Sequence, residues 1–192
     1  MTPILNRFQD LHILAWIAII MVYGFSEIGI GIYGRTLFRR KKVRDATFYG
    51  ITVPAMAGMY GALFEAVLQN HCFPTALFVS GLAVLVFGIT LRITALLQIG
   101  RGFSTKVERA DNQQLQTSGI YGMVRHPLYC ATLLQVLGTG LMLDSLVAFI
   151  FLPLCIAGVI MRIRKEERFM AAEFPEYQSY MKKTRRLIPW IY

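Results

Sequence analysis

Apolar residues in this chain come in blocks rather than in stripes. Predominantly apolar runs occupy residues 11–34, 48–68, 74–99, 128–143 and 146–161, and most polar residues collect in the segments between them. A helix that is apolar on all sides has no face to turn to water, so such runs belong in lipid or in a deep core. At about 1.5 Å rise per residue, some 20 residues cross a hydrocarbon layer about 30 Å thick. The first three runs are long enough. The last two, each of about sixteen residues and separated only by Asp144 and Ser145, are short for a full crossing. They predict a helical hairpin that either just spans the bilayer or dips into it, with both ends on one side.

The expected fold is therefore an all-α membrane protein of about five transmembrane helices, the last two paired as a hairpin. A helical C-terminal tail on the cytoplasmic side follows. One membrane domain covers residues 1–192: a three-helix frame over 1–99 and a polar-headed core over 100–192. The N-terminal run lacks a basic leader and a small-residue cleavage site, so it is expected to remain as a span.

Composition supports lipid as the solvent: 55% of residues are hydrophobic and 16% charged, against about 25% charged in soluble domains. The net charge of +9 is concentrated between the apolar runs. There it reads as an orientation signal and as contact with anionic membrane lipids, not as a nucleic-acid surface. The loop at 35–45 carries six basic residues against one acidic, which places it in the cytoplasm, with the N-terminus outside and the C-terminus inside. Cys72, Cys130 and Cys155 form no pair or cluster at metal-binding spacing and read as small apolar fillers. His71 falls in a tight outer turn.

Within the runs, Ala57 and Gly61 stand at a spacing suited to close helix packing, and Pro54 is expected to kink its helix. Glu65 falls near the outer surface, where water can reach it. Arg92 lies near an inner helix end, open to snorkelling or to a functional contact. Glu27 is a carboxylate at membrane depth, costly unless paired or facing a cavity. Trp190 and Tyr192 suit an interfacial belt.

The candidate chemistry gathers at the inner surface. Gly119 to Leu134 reads GIYGMVRHPLYCATLL, with Arg125 and His126 immediately ahead of Pro127. Proline is tolerated in a first helical turn because its missing N–H would be unpaired there anyway. The start of such a helix attracts anions through free N–H groups and the helix dipole. Glu166 and Glu167 leave the second helix of the same hairpin. Tyr129, Tyr177 and Tyr180 add hydroxyls nearby, and Pro175 is expected to open another helical turn. Both signs of charge at one site suit a zwitterionic amino-acid headgroup: carboxylate toward Arg125 and the helix start, ammonium toward the glutamates. The same residues could equally be interfacial anchors paired with one another.

The sequence GIYGMVRHPLY, an apolar hairpin, and then KEERFMAAEFPEYQSYMKKTRRLIP resembles the isoprenylcysteine carboxyl methyltransferase and phospholipid methyltransferase superfamily. That superfamily carries an RHPxY stretch, a Glu-Glu pair, an F-G-x-E-Y-x-x-Y segment and a late proline. IGRGFSTKV resembles its lead-in. The likeness covers about residues 96–189, and Pro175 stands where the family usually has glycine. The resemblance implies S-adenosylmethionine as cofactor. His126, Pro127, Leu128 and Tyr129 would form one wall of its pocket, Glu166 and Glu167 the other, and Gly119, Ile120 and Tyr121 its rim.

It also implies methyl transfer to a lipophilic acceptor, a prenylcysteine-like carboxylate or a lipid amine, arriving sideways from the bilayer at the cytoplasmic interface. Aligning donor and acceptor at about 3 Å and excluding water is then the main task, with no metal. Arg125 would orient a carboxylate; one of the glutamates, Glu166 or Glu167, or Tyr129 would take a proton from an amine. Two rival readings remain: an NADPH-dependent membrane reductase with a related core, and a non-enzymatic membrane scaffold.

Overall fold

The computed structural model describes residues 46–69, 74–99 and 115–188. The run at 11–34 with Glu27, the basic loop at 35–45, His71, Cys72, most of the polar segment at 100–114, Trp190 and Tyr192 lie outside the described residues. Those described are all-helical: α1 (Tyr49–Gln69), α2 (Thr75–Ile99), α3 (Pro127–Met142), α4 (Leu146–Glu173) and the short α5 (Tyr177–Lys183). Single 3₁₀ turns stand at Ala46–Phe48 and Gly119–Gly122.

Three of these helices are long and apolar enough to cross a membrane: Tyr49–Leu68, Thr75–Ile99 and Leu146–Glu173. The fourth, α3, has 16 residues, about 24 Å of rise, and so falls short of a hydrocarbon layer of about 30 Å. Many large apolar side chains on α1, α2 and α4 are exposed, Phe64, Leu97 and Ile150 among them. A surface of that kind is costly in water and neutral in lipid.

The helices pack as two close pairs, α2 with α3 and α1 with α4. Small residues set the first distance. A Cβ added at Gly138 would lie 2.6 Å from the Leu85 amide nitrogen, and one at Gly81 would overlap the Met142 backbone. In lipid, such backbone approach and its dispersion energy replace the hydrophobic drive between helices. On the second pair, Gly61 receives Val147, which is the close packing expected of that stretch. The helix continues through Pro54, and α4 through Pro153.

Between α3 and α4 the chain turns at Leu143 to Ser145. Asp144 adopts φ +46°, a left-handed conformation that a short polar side chain tolerates. Ser145 then caps α4 by accepting a hydrogen bond from Ala148 N at 3.3 Å. Glu65 on α1 completes the cap, accepting from the Ser145 hydroxyl and from Val147 N at 3.1 Å. Rather than simply facing water, it puts its carboxylate on a positive helix end. The second helix runs on past its apolar stretch to Glu173, as expected, whereas α5 begins at Tyr177, two residues after Pro175.

Candidate functional site

The start of α3 and the last third of α4 lie side by side, and their polar residues meet. His126 is the N-cap of α3, with no side-chain hydrogen bond to that helix end, and Pro127 holds the first position. Tyr129 and Cys130 turn their amides back to the His126 carbonyl at 3.2 Å each.

Glu166 and Glu167 follow one another on α4 but serve different partners. Glu166 Oε1 accepts from the Tyr129 hydroxyl at 2.6 Å and from Arg162 Nε at 2.7 Å. Arg162 is 1% exposed, and it also donates to Thr47 Oγ1 at 3.0 Å, reaching the chain just ahead of α1. A cation buried this far is tolerated only with such compensation. Glu167, 6% exposed, accepts from Arg125 Nε and Arg186 Nε, both at 2.9 Å. Two arginine–carboxylate systems thus stand next to each other.

The ring of His126 lies between them, with Nδ1 3.6 Å from Glu166 Oε2 and Nε2 3.6 Å from Glu167 Oε1. Those separations are beyond a hydrogen bond, and the buried Nε2 has no hydrogen-bond partner among the described residues. The ring stacks on Tyr129, centroids 5.7 Å apart at 21°.

The chain after α5 returns to brace this arrangement. Arg125 N donates to Arg185 O at 2.7 Å, His126 N to Arg186 O at 3.0 Å, and Arg185 N to Met123 O at 3.2 Å. This is a single parallel bridge between Val124 and Arg185. The Arg125 guanidinium adds bonds to Met181 O and to both Thr184 oxygens. Arg125 therefore ties three segments together: the approach to α3, the end of α4 and the tail.

Tyr121, Tyr177 and Tyr180 are buried beneath this brace. The Tyr180 hydroxyl donates to Tyr121 O at 2.6 Å. Burial pushes the Tyr180 phenol up to about 12, against the partial relief of Arg125 and Thr184. Burial likewise raises Tyr177, aided by Glu167, and Tyr121, aided by Tyr180 and Glu166. All three remain protonated hydrogen-bond donors at neutral pH.

Among the expected site residues, His126, Tyr129, Glu166 and Glu167 come together, with Arg125 as a clamp and Pro127 buried in the first turn. Gly119, Ile120 and Tyr121 make no hydrogen bond to the glutamates. They dock on α2, where Ile120 N donates to Gln98 Oε1 at 2.8 Å and Tyr121 OH to Ala95 O at 3.4 Å. Gly119 takes φ +62°, a conformation that glycine adopts without strain. Arg92 reaches across to α3 and donates to Thr132 Oγ1 at 3.3 Å.

Sequence reasoning missed Arg162, Arg186 and Thr47. Arg162 carried a readable signal, because it precedes Glu166 by one helical turn on the same face. Arg186 was hidden in a basic run, and nothing marked Thr47.

Comparison with known proteins places these features in context. Residues 81–172 match the family model described as the isoprenylcysteine carboxyl methyltransferase (ICMT) family. The chain is 33% identical over 143 residues to the protein-S-isoprenylcysteine O-methyltransferase of Schizosaccharomyces pombe, covering 68% of this chain and 61% of the relative. It is 43% identical over 79 residues to the cobalt-zinc-cadmium resistance protein CzcN of Cupriavidus metallidurans, covering 41% and 37%. The chain thus spans between about a third and two thirds of the length of these curated relatives. Its fold matches the solved structure of the eukaryotic intramembrane Ras methyltransferase ICMT with a TM-score of 0.65 at 22% identity, over 95% of this chain and 68% of that one.

Proposed function

From the premise that this chain belongs to the isoprenylcysteine carboxyl methyltransferase superfamily, we propose that it is a membrane methyltransferase. It transfers a methyl group from S-adenosylmethionine to the carboxylate of a lipophilic, prenylcysteine-like acceptor. The observation that carries this reading is the pair of buried arginine–carboxylate systems flanking His126 at the start of α3.

The residues fit the amino-acid end of that cofactor. The uncapped start of α3 attracts a carboxylate, and the orphaned His126 Nε2 offers it a further donor when that nitrogen carries a proton. Glu166 directs only Oε1 to Tyr129 and Arg162, which leaves Oε2 to accept from an ammonium. Pro127 and Leu128 give the wall its apolar part, and the stacked rings of His126 and Tyr129 give it a flat one. Bound there, the cofactor supplies a methyl group already activated by its positive sulfur.

The chain's own residues then have three tasks. Tyr129, fixed by Glu166 and Arg162, holds the wall in one orientation. The acceptor carboxylate is ionised at neutral pH, so no general base is needed, and alignment together with exclusion of water supplies the rate. Arg125, read from the sequence as the group that orients the acceptor, has its Nε engaged by Glu167 and its Nη1 by the tail carbonyls. It therefore acts as a positioning residue, and Glu167 acts through it. The rim residues Gly119, Ile120 and Tyr121 set the approach from α2. The site faces the cytoplasm, the N-terminus lies outside, and the acceptor arrives from the bilayer past a five-span frame ending in the α3–α4 hairpin.

Two measurements test the reading. The purified protein in detergent should release or absorb heat on titration with S-adenosylhomocysteine. It should also move a radiolabelled methyl group from S-adenosylmethionine into an N-acyl S-prenylcysteine and not into phosphatidylethanolamine. No heat, or label only in the phospholipid, overturns it.

A further inference from the structure

The segment that braces the site also carries an exposed, basic surface. Thr184 and Leu187 are buried, and the backbone of Arg185 and Arg186 bonds to Arg125, His126 and Met123 at 2.7, 3.0 and 3.2 Å. The side chains of Lys182, Lys183 and Arg185 stay exposed, and so do those of Arg164, Lys165 and Arg168 on α4. Among the exposed charged residues between 162 and 188, these six are basic and one, Glu176, is acidic. Met123 and Ile188, on either side of the bridge, add apolar side chains 52% and 48% exposed.

The depth of this surface follows from α4. The last exposed large apolar side chain on that helix is Met161, and the next exposed residues are Arg164 and Lys165. In a spanning helix that change marks the passage from hydrocarbon to headgroups. Arg186 Nε bonds to Glu167 at 2.9 Å, so the bracing segment stands level with Glu167, about 9 Å of helix rise past Met161. The headgroup layer is about 5–8 Å thick on each side. The potential of an anionic leaflet reaches a further 8–10 Å or so into solution. The exposed cations therefore lie within that field.

We propose that this basic face docks on anionic phospholipid headgroups and that docking holds the brace closed on the start of α3, so that anionic lipid activates the site. The side chains that meet the lipid and the backbone that orders Arg125 and His126 belong to the same few residues. What fixes the one fixes the other. Each cation near an anionic leaflet gains about fivefold in its binding equilibrium, so Lys182 and Lys183 together gain about 25-fold. An acidic protein fits less well, because it would have to displace headgroups to reach this surface. The docking is independent of the methyl-transfer reading; its consequence for the cofactor rests on that reading, since a wall populated only part of the time binds with proportionally lower affinity.

The test places the full chain in nanodiscs of phosphatidylcholine alone, or of phosphatidylcholine with phosphatidylglycerol. Hydrogen exchange is followed at the Arg125, His126 and Arg185 amides, which the brace protects. Exchange should be about tenfold slower or more in the anionic bilayer, and high salt should erase the gain. Lys182→Gln with Lys183→Gln should match the unsubstituted chain in phosphatidylcholine, which reports an intact fold, and should lose most of the gain in the anionic bilayer. Lys182→Arg with Lys183→Arg should keep it. S-Adenosylhomocysteine should bind more tightly in the anionic bilayer. Equal exchange in the two bilayers, or a gain that survives whole in the glutamine variant, overturns the docking. So does an equal gain produced by polyglutamate in the neutral bilayer, which would assign the face to an acidic protein. Slower exchange with equal S-adenosylhomocysteine affinity overturns the link to the site. Absence of S-adenosylhomocysteine binding in both bilayers overturns the methyl-transfer reading, while amide exchange still decides the docking.

Discussion

Replacing Glu167 with glutamine changes the charge of one buried group and almost nothing of its shape. In the structure its two oxygens serve Arg125 Nε at 2.9 Å, with side chains 8% and 7% exposed, and Arg186, whose side chain is 35% exposed. The two losses are unequal. Arg186 turns to water, and a half-exposed pair of this sort is worth well under about 1 kcal/mol. Arg125 has nowhere to go. Stripping one partner from a buried ion pair costs about 3–5 kcal/mol. The glutamine carbonyl still accepts one hydrogen bond, and Arg125 keeps the carbonyls of Met181 and Thr184, which brings the expected loss toward the lower figure, about 3 kcal/mol. For a chain of this size that corresponds to a thermal midpoint lower by about 6–12 °C.

Thermal unfolding in detergent reads the midpoint, and titration with S-adenosylhomocysteine reads the site. Affinity should fall with stability, because Arg125 carries the His126 backbone with it. Arg186→Gln, which disturbs only the exposed arm, should lower the midpoint by about 2 °C or less. If Glu167→Gln unfolds at the original temperature and binds with the original affinity, the clamp carries no weight and the reasoning collapses.

Glu65→Gln should weaken the start of α4. A carboxylate on a helix N-terminus contributes about 0.3–2 kcal/mol, so a midpoint lower by a few degrees without change in cofactor affinity is expected, and an unchanged midpoint would remove Glu65 as a cap. Alkaline pH supplies another check. Tyr180 has a folded pKa of about 12 against an unfolded value of 10.0. Its contribution to stability is complete below pH 10 and disappears as pH rises toward 12, because only the unfolded chain releases the proton in that interval. Tyr180→Phe should make the decline between those pH values shallower; an identical slope would show that this phenol is not protected.

The frame was legible because lipid demands long apolar runs, and these survive as simple blocks of sequence. Four of the five expected helical segments fall within the described residues, and the Asp144–Ser145 break was recognisable from two polar residues between apolar stretches. The site was legible in part. Pro127 stood out as a proline at the mouth of an apolar run, and the paired glutamates as adjacent acids in the basic stretch that follows the hairpin.

Their partners did not. Arg185 and Arg186 pair with Met123 to His126 through backbone atoms of a two-residue bridge, which leaves no periodicity to read. Arg125 illustrates the difficulty: its charge suggested a ligand contact, yet its Nη1 bonds to Met181 and Thr184, more than fifty residues away, and its Nε to Glu167. Gln135 was passed over because a single amide inside an apolar run looks like noise until its burial without a hydrogen-bond partner among the described residues is visible.

The tail that returns to Arg125 and His126 also makes completion of the site depend on residues late in the chain. Synthesis delivers Arg125 first, Glu167 about forty residues later, and Arg185 with Arg186 last. Arg125 and Glu167 can pair before the bracing strand docks, because the approach to α3 and the end of α4 meet without it. Until that strand docks, the Arg125 and His126 amides lack their acceptors and the second face of Glu167 is open. The polar cluster at the start of α3 is thus complete only once that strand has docked, and a chain cut before Arg185 would leave the Arg125 and His126 amides without those acceptors.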